Sequence, residues 1–152
     1  IAAINKTKIK VIWIYPNNDV GYKKILNKIK MQKNKNIRIV SNFERSKFIR
    51  LMGKAKGIIG NSSAGIIEAS MFKIPVINIG NRQNGRPQSS NIINCKPEIK
   101  SIIKKINFIE TNKKFLKSLK TTKNLFFVKN SSKKITNILA KLNKNNQLLK
   151  KY

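Results

Sequence analysis

Lys56-Gly57-Ile58-Ile59-Gly60-Asn61-Ser62-Ser63-Ala64-Gly65-Ile66-Ile67-Glu68-Ala69 reads as a short buried strand, a tight turn and the opening of a helix. Ile58 and Ile59 are β-branched and carry no polar alternation, as in a strand covered on both faces. Ser62 is a preferred helix N-cap, and the residues after it are small or apolar. The same pattern extends upstream. Lys10 to Tyr15 is a strand closed by Pro16, and Val20 to Met31 is an amphipathic helix with Asp19 placed to cap it. Ile37 to Val40 is a second strand, and Asn42 is placed to cap a helix reaching Gly53. Downstream, Ile74 to Ile79 is a strand and Asn91 to Asn94 a further one. Pro97 falls in the expected first turn of a helix running to about Ile106. Helices near Asn112 to Lys120 and from Ser132 to about Asn145 complete the chain. Alternating strands and helices with short connections predict an α/β fold: a parallel sheet with helices on both faces.

Composition narrows the chemistry. The 152 residues contain 34 Lys+Arg, 5 Asp+Glu, no His and one Cys, giving a net charge of +29. One Cys (Cys95) and no His supply no ligand set for structural zinc, no disulfide and no Ser-His-Asp or Cys-His catalysis within the chain. No apolar run approaches the roughly 20 residues of a membrane span. The first residues, Ile1 to Lys6, lack the apolar stretch of a signal peptide. A cytoplasmic protein without a membrane partner is therefore expected. An initial Ile followed almost at once by a strand suggests a chain cut from something longer.

The charge itself suggests nucleic acid. Yet 13 basic residues lie in positions 1–50, 7 in 51–100 and 14 in 101–152, with no single basic stripe. Heavy use of Lys, Asn and Ile is also what a compositionally biased genome produces, so nucleic acid is not the expected partner. Gly57 to Cys95 holds only Lys73, Arg82 and Arg86 against Glu68. Chemistry is expected there.

A helix N-terminus after a glycine-rich turn suits an anion, because unpaired N–H groups and the dipole converge on it. Ser62 and Ser63 add hydroxyls, and Gly60 and Gly65 permit close approach. The plainer alternative is a helix that Ser62 merely caps. Glu68 lies one turn beyond Gly65, where its carboxylate can accept from two vicinal ribose hydroxyls, or else pair with a lysine. The loop Asn78-Ile79-Gly80-Asn81-Arg82-Gln83-Asn84-Gly85-Arg86 leaves the carboxyl end of the next strand, the edge at which open parallel sheets bind ligands. Arg82 suits phosphate through its forked guanidinium, and Arg86 is a second candidate that also fits a loop-bracing role.

These two segments, preceded by Tyr15-Pro16-Asn17-Asn18-Asp19-Val20-Gly21, resemble the hydrolysing UDP-N-acetylglucosamine 2-epimerases over about Lys10 to Cys95. The resemblance implies a Rossmann-like domain, the C-terminal half of a two-domain glycosyltransferase-B type fold. Residues 1–146 would form that UDP-binding half and 147–152 a basic tail. By similarity Ser62 and Ser63 contact the diphosphate, with Gly65 in the same UDP site, Glu68 the ribose, Arg82 the phosphates and Phe48 the uracil, although Phe48 also strongly suits the core. Asn17, Asp19 and Arg86 border the sugar pocket. No metal or cofactor is implied, UDP being part of the substrate.

The family reaction eliminates UDP across C1–C2 of the sugar and hydrates the product to N-acetylmannosamine. Its catalytic acids and His lie upstream of the matching segments, so the catalytic residues of this chain are unknown and the piece is expected to be inactive alone. The implied partners are a UDP-sugar, an N-terminal domain and further copies of the full-length chain. The alternatives are a glycosyltransferase-B type UDP-sugar glycosyltransferase domain and a non-enzymatic basic nucleic-acid-binding protein.

Overall fold

The computed structural model describes residues 1–16 and 20–141. Among the described residues the β-branched runs form five strands: β1 (Val11–Ile14), β2 (Ile37–Val40), β3 (Ile58–Gly60), β4 (Val76–Ile79) and β5 (Ile92–Cys95). Every pairing is parallel, β1 with β2 in one ladder and β3–β4–β5 in another. The expected single sheet is therefore two ladders. Side-chain packing joins them in place of backbone pairing. Ile37 of β2 shares a buried cluster with Ile77 of β4, Cys95 of β5, Ile4 and Ile106, and Val11, Trp13 and Ile59 pack against it.

Seven helices lie among the described residues: α1 (Ala2–Asn5), α2 (Tyr22–Lys30), α3 (Arg45–Lys54), α4 (Ser63–Ile67), α5 (Ile99–Thr111), α6 (Lys113–Ser118) and α7 (Ser131–Lys141). Short 3-10 turns follow α4 at Ala69–Phe72 and α6 at Leu119–Thr121. No helix among the described residues is long and apolar enough to cross a membrane.

Both faces of the central strand are covered. Successive strand residues point to opposite faces, and Val76 and Ile77 are 2% and 0% exposed. Ile77 faces the cluster completed by Ile4 of α1 and Ile106 of α5, with Ile102 and Ile109 alongside. Val76 faces a second cluster formed with Met52 of α3, Ala69 and Ile74, against which Phe48 and Ala64 pack. The expected helix-covered parallel architecture is thus present.

Several boundaries differ from the sequence reading. α3 begins at Arg45, with Glu44 at the cap position and no side-chain cap bond, so Asn42 does not start it. Glu98 is the N-cap residue of α5, leaving Pro97 just outside the helix. That helix continues past Ile106 because Ile109 extends the apolar row that packs against the core. α1 was not expected. It is held by burial of Ala3 and Ile4. The helix opened by Ser62 is interrupted at Glu68, where α4 passes into the 3-10 turn. α2 has Gly21 at its cap position. Asp19, the expected end of α7 at Asn145 and the 147–152 tail lie outside the described residues.

The cap of α4 is the expected one. The Ser62 hydroxyl accepts from the Ala64 N–H at 3.3 Å. At that length the bond is weak, so Ser62→Ala should cost only about 0.5–1 kcal/mol. Urea unfolding followed by circular dichroism should show a small fall in midpoint with an unchanged slope.

Candidate functional site

The site lies beyond the carboxyl ends of β3 and β4. Gly60 ends β3 with φ at +151°, a conformation that side chains rarely allow, and this turns the chain sharply into Asn61. Ser62 is extended and caps α4, and its carbonyl accepts from the Gly65 N–H at 3.2 Å. Gly65 is buried against β4. A Cβ there would stand 3.0 Å from Val76 Cγ1, so any side chain requires Val76 to give way or α4 to lift from the sheet. Ser62 is exposed and Ser63 half-buried at the start of that short helix.

Glu68 stands at the junction of α4 and the 3-10 turn, its N–H bonded to the Ala64 carbonyl at 3.0 Å. The expected bland partner was a lysine. Instead the carboxylate meets Arg45 at the start of α3, with Arg45 Nη1 donating to Glu68 Oε1 at 2.8 Å. Glu68 Oε2 is enclosed and receives no hydrogen bond among the described residues. A buried acceptor without a donor is costly, and a carboxylate accepts at both oxygens.

The loop after β4 closes onto the serine turn. Two donors converge on the Asn61 carbonyl, Gln83 Nε2 at 2.8 Å and Arg82 Nη1 at 3.1 Å. Gln83 is only 2% exposed, whereas Arg82 is exposed. The edge below is braced by a relay of amides. Buried Asn78 Nδ2 donates to Asn94 Oδ1 at 2.8 Å, and Asn94 Nδ2 donates to Gln88 Oε1 at 2.9 Å. Arg86 is exposed on the same loop, and its N–H donates to the Gln83 carbonyl at 3.3 Å.

The fold therefore brings Ser62, Ser63, Gly65, Glu68 and Arg82 to one edge, with Arg86 on the adjoining turn. Phe48 is half-buried and packs against the cluster of Met52, Ala69, Ile74 and Val76, the core role that was its alternative. Asn17 and Asp19 lie outside the described residues. Sequence reasoning missed Gln83 and Arg45. Gln83 has the residue type of a solvated loop position, and nothing local to Arg45 signals its partner 23 residues away.

A family profile described as UDP-N-acetylglucosamine 2-epimerase matches residues 1–140. The chain is 44% identical over 94 residues to UDP-N-acetylglucosamine 2-epimerase of Neisseria meningitidis, covering 60% of this chain and 24% of that protein. It is 37% identical over 94 residues to UDP-N,N'-diacetylbacillosamine 2-epimerase (hydrolyzing) of Legionella pneumophila, covering 61% of this chain and 25% of the relative. A third relative, polysialic acid biosynthesis protein P7 of Escherichia coli, is 32% identical over 121 residues, covering 79% and 31% respectively. The chain thus matches 24–31% of the length of these relatives.

Proposed function

The chain belongs to the UDP-N-acetylglucosamine 2-epimerase family, and from that premise we propose that it is the nucleotide-binding part of a hydrolysing UDP-acetamido-sugar 2-epimerase. In this reading Ser62 and Ser63 face the diphosphate at the mouth of α4, with Gly65 permitting the close seating of that helix. Arg82 approaches the phosphates from the facing loop, and Glu68 receives the ribose hydroxyls. The sugar extends toward Arg86 and the Asn17 to Asp19 segment. Phe48, half-buried against the core, offers the uncovered part of its ring to the uracil. The names of the relatives support either N-acetylglucosamine or a diacetylated bacillosamine as the sugar.

The reaction removes the C2 proton and expels UDP from C1, then adds water across the resulting double bond to free the 2-epimer. Those proton transfers need positioned acids and bases. This chain contains no histidine and one Asp, Asp19. We therefore assign the proton chemistry to the remainder of a longer protein, and binding without turnover to this piece.

The observation that carries the proposal is Glu68. A carboxylate that is 20% exposed, with one oxygen lacking a donor among the described residues, stands at the far end of the short helix that Ser62 caps, in a chain with few acids. Two vicinal hydroxyls can both donate to such a group. Glu68→Ala should weaken UDP binding about tenfold, the loss of a charge-assisted hydrogen bond, as read by calorimetry on the 152-residue chain. Equal affinity in wild type and variant would remove the ribose assignment. Salt provides the contrast with a nucleic-acid surface, because binding through many phosphates falls steeply with added salt.

A further inference from the structure

We infer that Arg45 is a positioning residue for nucleoside recognition, fixing the Glu68 carboxylate so that its remaining acceptor sites meet the two ribose hydroxyls; the inference rests on the nucleotide reading above. Arg45 is the first residue of α3, and the only hydrogen bond or ion pair of its side chain among the described residues is to Glu68. The two side chains are 68% and 20% exposed, so the contact joins a solvent-facing arm to a largely enclosed carboxylate. An ion pair with so exposed a partner contributes little to folding stability. Its effect is directional. A carboxylate offers about four lone-pair sites, of which the guanidinium takes one on Oε1, and Oε2 is left without a donor among the described residues.

The geometry also locates the ligand side. Arg45 and Phe48 are three residues apart on α3 and so share a face of that helix. Phe48 and Ala64 both pack against the buried cluster that contains Ala69, the residue after Glu68. The start of α3 and the junction after α4 therefore meet around the carboxylate. Without Arg45, a flexible glutamate must be immobilised at the moment of binding, and that ordering lowers affinity. A lysine offers one point charge in place of the planar fork, so it restores orientation only in part.

The test is calorimetry on the chain with UDP and with 2′-deoxy-UDP, using wild type, Arg45→Ala and Arg45→Lys, with thermal melts alongside. Wild type is expected to prefer UDP over the 2′-deoxy compound. Arg45→Ala should weaken UDP about fivefold, a typical ordering cost for one side chain. It should also bring the ratio of the two affinities toward one, with a melting temperature close to wild type, and Arg45→Lys should fall between. Equal weakening of both ligands would mean that Arg45 acts only by attracting the diphosphate. Tighter UDP binding by Arg45→Ala would mean that Arg45 competes with the ribose. Either result overturns the inference while leaving the UDP reading intact. Failure of wild type to bind UDP overturns both.

Discussion

Gly65→Val should destabilise the chain by about 2–3 kcal/mol through overpacking, and should remove UDP binding with it. An ideal Cβ at this position is 3.0 Å from Val76 Cγ1 and 3.8 Å from Ile58 Cγ2. The neighbour has little room to give. Val76 is 2% exposed on the middle strand of its ladder, and a β-branched side chain is stiff about χ1. Alanine would recover about 0.5–1 kcal/mol of helix propensity relative to glycine, which works against the crowding. Valine adds two more methyl groups to the contact. α4 must then lift from the sheet, taking Ser62, Ser63 and the start of the Glu68 junction with it. Urea unfolding should show a lower midpoint at unchanged slope. Because the clash is with one side chain, Gly65→Val combined with Val76→Ala should recover about 1 kcal/mol relative to additivity. Strictly additive losses would place the strain elsewhere.

The strands were readable because each is a compact β-branched run, and β4 with buried neighbours on both faces shows why no polar alternation marks it. Helix ends were less readable. Asn42 and Pro97 are genuine local start signals, but the register of α3 and α5 is fixed by which residues reach the core, and that moves each start downstream. The break after Ile67 carries no signal in the sequence, and the 3-10 turn that follows it ends sharply. Lys73 adopts a left-handed φ of +57° at the end of the 3-10 turn, just before Ile74 and Pro75 lead into β4. α1 is too short for any periodic pattern, so burial of Ala3 and Ile4 against the core cluster was invisible in the sequence.

At the candidate site, residue type nominated Ser62, Glu68 and Arg82, because hydroxyls, a carboxylate and a guanidinium are uncommon neighbours in a weakly charged stretch. Their partners required the fold. Gln83 lies between polar residues in a glycine-containing loop, the pattern of a solvated turn, yet closure onto the Asn61 carbonyl leaves it 2% exposed. Arg45 is one of 34 basic residues, and only the meeting of α3 with the α4 junction selects it for Glu68. The excess charge is therefore mostly solvated surface, while individual arginines gain roles from the acceptors they reach.

Ile77→Ala is expected to be the most destabilising single truncation in the fold, costing about 2–5 kcal/mol. Ile77 is 0% exposed at the middle of β4, its Cα paired with Ile59 on one side and Ile93 on the other. Its cluster contains Ile37 of β2 as well as Ile4 of α1 and Ile106 of α5. Since β1 and β2 do not pair through the backbone with β3, β4 and β5, this side-chain cluster is what holds the two ladders together. Deleting the side chain removes its transfer free energy and leaves a cavity walled by strands and helices that cannot all collapse inward. Against a total stability of about 5–15 kcal/mol for an ordinary domain, such a loss consumes a large fraction. Ile77→Val keeps most of the volume and should cost about 0.5–1.5 kcal/mol. Ile138→Ala, on α7 at 62% exposure, should change stability by no more than about 0.5 kcal/mol. If Ile77→Ala matched that surface control in a urea titration, the ladders would have to be joined by something other than this cluster.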